Sequence, residues 1–318
     1  MTHTRLLGLG FFLVVVLTGG LQAQQLSLFT QYRENATLLN PAALESDFLT
    51  FGYNMSLGGT YRRQWAGIEN APTTQSLRFN YLMVNSGVSL NTGAYLINDQ
   101  TGPTGFTGFY GRIGGVISRD PEEGGISLGL SAGYVAYGVK LSELVARDNG
   151  DIMLSGDQSQ SHPDVGFGIY AYRYTNRDNL IYGGISVPQL LGFDVTYQDE
   201  NGEFSVQRLR HYYATAGWYL FTSAESFLEL SSWVKYVEGA PLNADLSVRY
   251  QLPTAPYLGI GVSTAKDFHV EAGLNIGQST GAPANFRIGY AFNYSFNSFG
   301  PTVGGTHELQ VSVALDRR

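Results

Sequence analysis

The residue types that most clearly invite recognition chemistry sit in one short stretch, Arg62-Arg63-Gln64-Trp65, followed by Gly67, Ala71 and Pro72. Two guanidinium groups can hold carboxylates in a bidentate fork, and an indole beside them supplies a flat amphipathic surface. Two readings follow. The stretch contacts a partner, or it is pinned by arginine pairing to acids inside the fold, with Trp65 at a membrane interface. Other reactive types are scattered. His162, His211, His269 and His307 fall on separate segments, and His269-Val270-Glu271 has no second His or Cys nearby, so the spacing of a metal site is missing. No strand-to-helix nucleophile elbow supports a serine hydrolase. Glu122-Glu123 and Asp199-Glu200 lie beside glycines in turns, where solvation is the ordinary fate of a carboxylate. The acidic run Asp148–Asp151 lacks the spaced ligands and closing Glu of a calcium loop. These patterns assign no catalytic residue, metal ligand, cofactor site or small-molecule substrate.

The elements that must position such groups read as strands. In Leu77, Phe79, Tyr81 and Met83 one parity is large and apolar, and the other holds Ser76, Arg78 and Asn80. Leu242, Ala244, Leu246, Val248 and Tyr250 oppose Asn243, Asp245, Ser247 and Arg249. Phe286, Ile288, Tyr290 and Phe292 oppose Asn285, Arg287 and Asn293, and Leu309, Val311, Val313 and Leu315 oppose Glu308, Gln310 and Ser312. Period two puts the sets on opposite faces of a strand. Leu49, Phe51, Tyr53, Met55 and Leu57 alternate in the same way, so a first strand is expected from about residue 48. The runs are about 9–14 residues long, nearer a membrane-spanning strand than the usual 5–6. Their polar face carries charges in mid-strand: Arg78, Glu229, Lys235, Asp245, Arg249, Glu271 and Arg287. A wet lumen accommodates these while the apolar face meets lipid.

Composition agrees. Of 318 residues only 14% are charged and 13% are aromatic, with 40 Gly, 21 Tyr and 4 Met, as suits half-buried strands joined by turns rather than helices. A net charge of −7 without a basic face argues against nucleic acid. The chain has no Cys, which rules out disulfides and thiol chemistry. Arg5, the apolar run Leu6–Leu17 and Ala23 form a secretory leader, and no later apolar stretch is long enough for a spanning helix. The expected architecture is an all-β transmembrane antiparallel barrel of about fourteen strands. Its parts are a signal peptide at 1–23, a periplasmic or plug segment at 24–47 and the barrel at 48–318. Long links at Arg62–Pro72, Val139–Pro163, Pro188–Arg208 and Asn297–Gly304 alternate with short ones, so long outer loops and short periplasmic turns are expected, with the N-terminus on the periplasmic side. Phe193–Arg208 reads as a small hairpin turning at Asn201-Gly202.

At this point the chain resembles the PorP/SprF family of outer-membrane type IX secretion components of Bacteroidetes. The resemblance runs through Phe29-Thr30-Gln31-Tyr32, Leu39-Asn40-Pro41-Ala42, Tyr61–Gly67, Ala71–Gln75, Leu96–Asp99, Arg210–Tyr213, Lys235–Leu242 and Gly305–Glu308. It covers nearly the whole mature chain. It implies a non-enzymatic barrel in the outer membrane, surrounded by lipid, that works with type IX secretion components. Such a barrel assists export or surface attachment of secreted cargo, in some members adhesins used for gliding motility. In that light the candidate contact residues are Arg62, Arg63, Gln64, Trp65, Gly67, Ala71 and Pro72. The competing expectation is a passive porin-like channel.

Overall fold

The computed structural model describes residues 28–140, 157–176, 179–192, 194–199, 202–223, 225–277, 283–297 and 300–317. The expected leader at 1–23, Asp148–Asp151, Glu200, and Phe193 and Asn201 of the expected hairpin lie outside these residues.

The alternating runs become strands that pair with their sequence neighbours. In chain order they are β1 (Met55–Arg63), β2 (Thr73–Met83), β3 (Gly87–Thr101), β4 (Thr104–Ser118), β5 (Gly124–Val139), β6 (Gln158–Asn176) and β7 (Asn179–Val187). A separate hairpin follows, β8 (Asp194–Asp199) and β9 (Gly202–Gln207), paired as the sequence leads one to expect. The wall resumes with β10 (His211–Ser223), β11 (Ser226–Val237), β12 (Asn243–Gln251), β13 (Pro256–Ser263), β14 (Asp267–Ile276), β15 (Ala284–Ser295) and β16 (Thr306–Leu315). The last strand returns to the first, with Met55 opposite Leu315 and Arg63 opposite His307. Among the described residues fourteen antiparallel strands thus close into one barrel. Closure removes the unpaired sheet edges that lipid cannot satisfy.

The two faces of the wall invert the order found in a water-soluble protein. Leu77, Ile113, Leu130, Leu246, Ile260 and Phe286 are exposed, whereas Arg78, Glu229, Arg249, Glu271 and Arg287 are buried. An apolar outside around a charged inside is stable only when the surrounding solvent is lipid. Among the described residues no helix is long and apolar enough to cross a membrane, and the crossing is made by strands.

All the long links leave one end of the barrel. Gln64–Pro72 joins β1 to β2 there, and the links after β5, β7 and β15 emerge beside it. The other end carries short turns, such as 84–86 and 252–255. Three further turns at the long-link end, after β3, β11 and β13, are short.

The expected first strand from residue 48 is wrong. Ser46–Phe51 forms a helical turn, α2, preceded by α1 (Ala36–Leu39), and β1 begins only at Met55. Gly52, at φ 75°, ends α2 in the left-handed conformation that glycine adopts without strain. Leu49 therefore points into the interior, 4% exposed, and not into lipid. A run that is apolar at every second position also places apolar groups three and four apart, and burial inside the barrel decided between the two periods. A last helical turn, α3 (Gly300–Val303), precedes β16.

Candidate functional site

The interior of the barrel is occupied by the chain's own residues 28–54. Nearly all of Phe29–Leu49 is buried, and its polar groups meet lumen-facing side chains from most of the wall. One side of the contact is ionic. Arg33 lies 3.3 Å from Glu229 on β11 and also pairs with Glu271 on β14. Glu229 is 2.8 Å from Arg249 on β12, and Arg249 reaches Glu34 at 2.6 Å. Glu34 pairs again with Arg287 on β15, which holds Asp47 at 2.8 Å. The result is a line of seven charges alternating in sign, Glu271–Arg33–Glu229–Arg249–Glu34–Arg287–Asp47, shared between wall and segment. Further along, Glu45 receives Asn80 and lies 3.6 Å from Arg78, both on β2.

The segment's acids feel this network differently. Burial alone would raise the Glu34 carboxyl, but Arg287 and Arg249 outweigh it and hold that group well below the usual glutamate range. Glu45 and Asp47 are pushed up by burial, which the nearby arginines, Arg78 and Arg112 for Glu45 and Arg287 and Arg78 for Asp47, only partly offset, and neighbouring acids add to the rise.

The other side of the contact is apolar and reads the segment's backbone. Ala42, Ala43, Leu44, Phe48 and Leu49 cluster with Leu82, Val116, Tyr170, Tyr172, Leu180, Tyr219 and Phe227 of the wall. Arg112 donates to the carbonyl of Pro41 at 2.9 Å, Asn91 to that of Ala43 at 3.1 Å, Ser186 to that of Leu39 at 2.7 Å and Tyr174 to that of Leu49 at 3.0 Å. Gly168 on β6 has no room for a side chain, because a Cβ there would strike the Asn40 amide. A small cavity of about 40 Å³ remains between Phe29, Leu39, Tyr95, Phe106, Tyr110 and Tyr213.

The candidate contact residues divide sharply. Arg62 and Arg63 are neighbours on a strand and so point to opposite faces. Arg62 is turned inward, 3.6 Å from Glu308 on β16 and donating to Gln64 at 2.9 Å, whereas Arg63 is exposed. The two guanidinium groups do not form one fork. The Gln64–Pro72 link then folds across the seam between first and last strands. Trp65 N donates to the Thr306 hydroxyl at 3.3 Å, Ala66 N to Gly305 O at 2.8 Å and Gly67 N to Val303 O at 2.9 Å. A Cβ on Gly67 would lie 2.9 Å from that same carbonyl, so the two loops touch through backbone. Gln64 N closes the link on Pro72 O at 2.8 Å, Ala71 is buried and Trp65 is half-buried at φ 53°.

The histidines are not brought together. His211 Nδ1 lies 3.0 Å from the Leu209 carbonyl, His269 Nε2 3.2 Å from Ser247 and His307 Nδ1 2.6 Å from Tyr290, on three different strands. Glu122 and Glu123 are exposed in the turn after β4. Gly125-Ile126-Ser127-Leu128-Gly129 has the lettering of a nucleophile elbow but runs extended through β5.

Sequence reasoning missed the partners of the lumen charges. The signal was present: wall acids and bases in mid-strand need counter-charges, and Arg33, Glu34, Glu45 and Asp47 stand together just before the first strand.

No curated protein matches this sequence. In fold the chain is similar to the CymD monoaromatic hydrocarbon channel, with a TM-score of 0.54 and 10% identity over 90% of this chain and 93% of that one. It is also similar to the toluene transporter TbuX of Ralstonia pickettii, with a TM-score of 0.52 and 10% identity over 88% and 92% of the two chains. The toluene transporter TodX of P. putida gives 0.51 and 7% identity over 89% and 94%. At such identities the likeness is one of fold, that of outer-membrane barrels. Sequence carries the assignment further: the profile of the type IX secretion system membrane protein PorP/SprF matches residues 21–313, and the chain belongs to that family of outer-membrane β-barrels.

Proposed function

We propose that this barrel is an accessory component of type IX secretion that assists export or surface attachment of cargo, such as adhesins, by binding and without catalysis. In this reading residues 1–23 are removed on export, the following segment plugs the lumen and the strands from Met55 onward form the wall. The observation that carries the reading is the family match over residues 21–313, combined with a lumen filled by the chain itself. A conduit for small molecules is the competing class, since the similar folds are by name hydrocarbon channels. The interior argues against it here. Phe29–Leu49 fill it, and the cavity left beside Phe29 and Tyr213, about 40 Å³, is well short of the roughly 150 Å³ that admits benzene.

Conductance in liposomes, together with affinity purification from the native envelope, tests the proposal. A silent barrel that brings down type IX components or cargo supports it. A steady open conductance with no protein partner overturns it in favour of a porin.

The contact surface proposed for cargo or a secretion component is the outward part of the Arg62–Pro72 stretch. Arg63→Ala should leave a normal amount of folded barrel in the outer membrane while surface cargo falls. Arg62→Ala should lower barrel stability first, because it strips Glu308 of its cation. If Arg63→Ala lowers barrel and cargo in proportion, the stretch is a brace and not a recognition surface.

A further inference from the structure

We infer that the lumen segment runs from the long-link mouth to the short-turn mouth, so that the chain enters the lumen, at Leu28, from the same mouth as the Gln64–Pro72 link. The sequence pattern alone put the N-terminus at the opposite, periplasmic end.

The path is fixed at both ends. At its start, Thr30 N and Gln31 N donate to the two oxygens of the Glu308 carboxylate, at 2.7 and 2.9 Å. Glu308 faces Arg62, one residue from the end of β1 at the long-link mouth. Phe29 and Leu28 pack with Tyr213 and Trp233, which lie near the first and last residues of β10 and β11 on that same side. Asn35 is lower, receiving Thr60 on β1 at 3.1 Å. Glu34 and Asp47 then meet Arg249 and Arg287, both close to the short-turn ends of their strands. Phe51 packs in the cluster of Phe227 and Leu82, at the short-turn ends of β11 and β2. Asn54 donates to Leu82 O at 3.1 Å, and β1 starts one residue later. A chain pinned to Glu308 at one end and delivered to Met55 at the other passes from the long-link mouth to the short-turn mouth, doubling back on the way where Leu38 and Leu39 lie beside Phe29.

The consequence is an interaction surface of mixed origin. The long-link mouth gathers Leu28 and Phe29, the Gln64–Pro72 link beside the exposed Arg63, and the turn before β16. A protein partner that docks on this mouth meets the end of β1 and the start of β16 together with Leu28 and Phe29. The inference rests on the leader being removed, and on nothing else in the functional reading.

The chain has no cysteine, which permits a direct test. Single-cysteine variants Leu28→Cys, Glu69→Cys and Glu122→Cys are treated on intact cells with a membrane-impermeant maleimide, and again after permeabilisation. Glu69 is exposed in the Gln64–Pro72 link and Glu122 in the turn after β4, so they report the two mouths. Leu28→Cys should label alongside Glu69→Cys, with the labelling of Glu122→Cys lost on whichever side those two are reached. Leu28→Cys labelling with Glu122→Cys overturns the inference. Because the comparison is between variants, it holds whichever mouth faces the medium, and a swapped pair of controls would fault the orientation alone. If Leu28→Cys fails to accumulate, an epitope inserted between Gln25 and Leu26 reads the same thing: antibody reaching it from the Glu69 side supports the path, and from the Glu122 side overturns it. The mass of the tagged chain tells separately whether the leader was removed.

Discussion

The two sides of the filled lumen are built on different physics. Toward β11, β12, β14 and β15 the segment is held by the line of alternating charges through Arg33, Glu34 and Asp47. Toward β4, β6, β7 and β10 it is held by Ala42–Leu49 packing on tyrosines and leucines, with wall side chains reading its carbonyls. Apolar packing is adhesive but tolerant of sliding, while a buried charge accepts only the place where its partner is. Adhesion and register thus come from separate sides: one makes the segment stay, the other fixes where it stays.

The largest effect is expected at Glu34, which among the described residues of the segment is the acid bridging two wall arginines. Glu34→Ala should cost about 3–5 kcal/mol, because it leaves Arg249 and Arg287 buried without their shared anion. The measurement is the temperature at which the compact form converts to the extended one on semi-native gels. A loss no greater than that of a surface substitution would mean the charges are solvated and do not set register. The same site carries a pH signature. Glu34 has a depressed pKa in the fold, so its contribution is complete above the ordinary glutamate range and declines as pH falls toward the folded value. Glu45 and Asp47 are raised and contribute with the opposite sign, favouring the fold at lower pH. Glu34→Gln should therefore lose less stability on acidification than the parent, and an unchanged acid limb would contradict the assignment.

On the apolar side, Leu44→Ala should cost about 2–5 kcal/mol by cavity formation and leave the pH profile alone. A comparable loss accompanied by a shifted acid limb would mean the two sides are not separable. The wall gives the next effect: Leu246→Arg places a charge in lipid, which costs about 2–4 kcal/mol near the midplane, and should lower the yield of assembled barrel. The smallest effect is expected at the neighbouring lumen position. Ser247→Ala removes a hydroxyl 3.2 Å from His269 Nε2 and should cost about 1 kcal/mol in the same gel assay.

Most of the wall was legible from residue order. Arg78 between Leu77 and Phe79, or Arg287 between Phe286 and Ile288, declares its face because period two leaves one answer when the outside is lipid. The start of β1 was not legible, because Phe48, Leu49 and Phe51 satisfy either period and the tie is broken only by tertiary burial. The site was half legible. Arg62-Arg63 announced a carboxylate partner, and Arg62 has one, but Glu308 lies at the far end of the sequence where no local pattern points to it. That Arg63 parts company with Arg62 follows from strand geometry, once both are known to be in β1.

The Glu308 carboxylate also constrains the order of events during assembly. It takes the amides of Thr30 and Gln31 from one end of the chain, yet stands on the strand made last, 278 positions from Thr30. The hydrogen-bond ladders run uninterrupted through the β1–β16 seam. A sealed wall offers no sideways gap through which a folded stretch with two helical turns could be drawn in later. We expect filling to precede sealing: the early part of the polypeptide waits, tethered on β1, until β16 arrives to shut the ring around it. A chain cut short before β16 should consequently accumulate as an open sheet whose first fifty residues remain sensitive to protease.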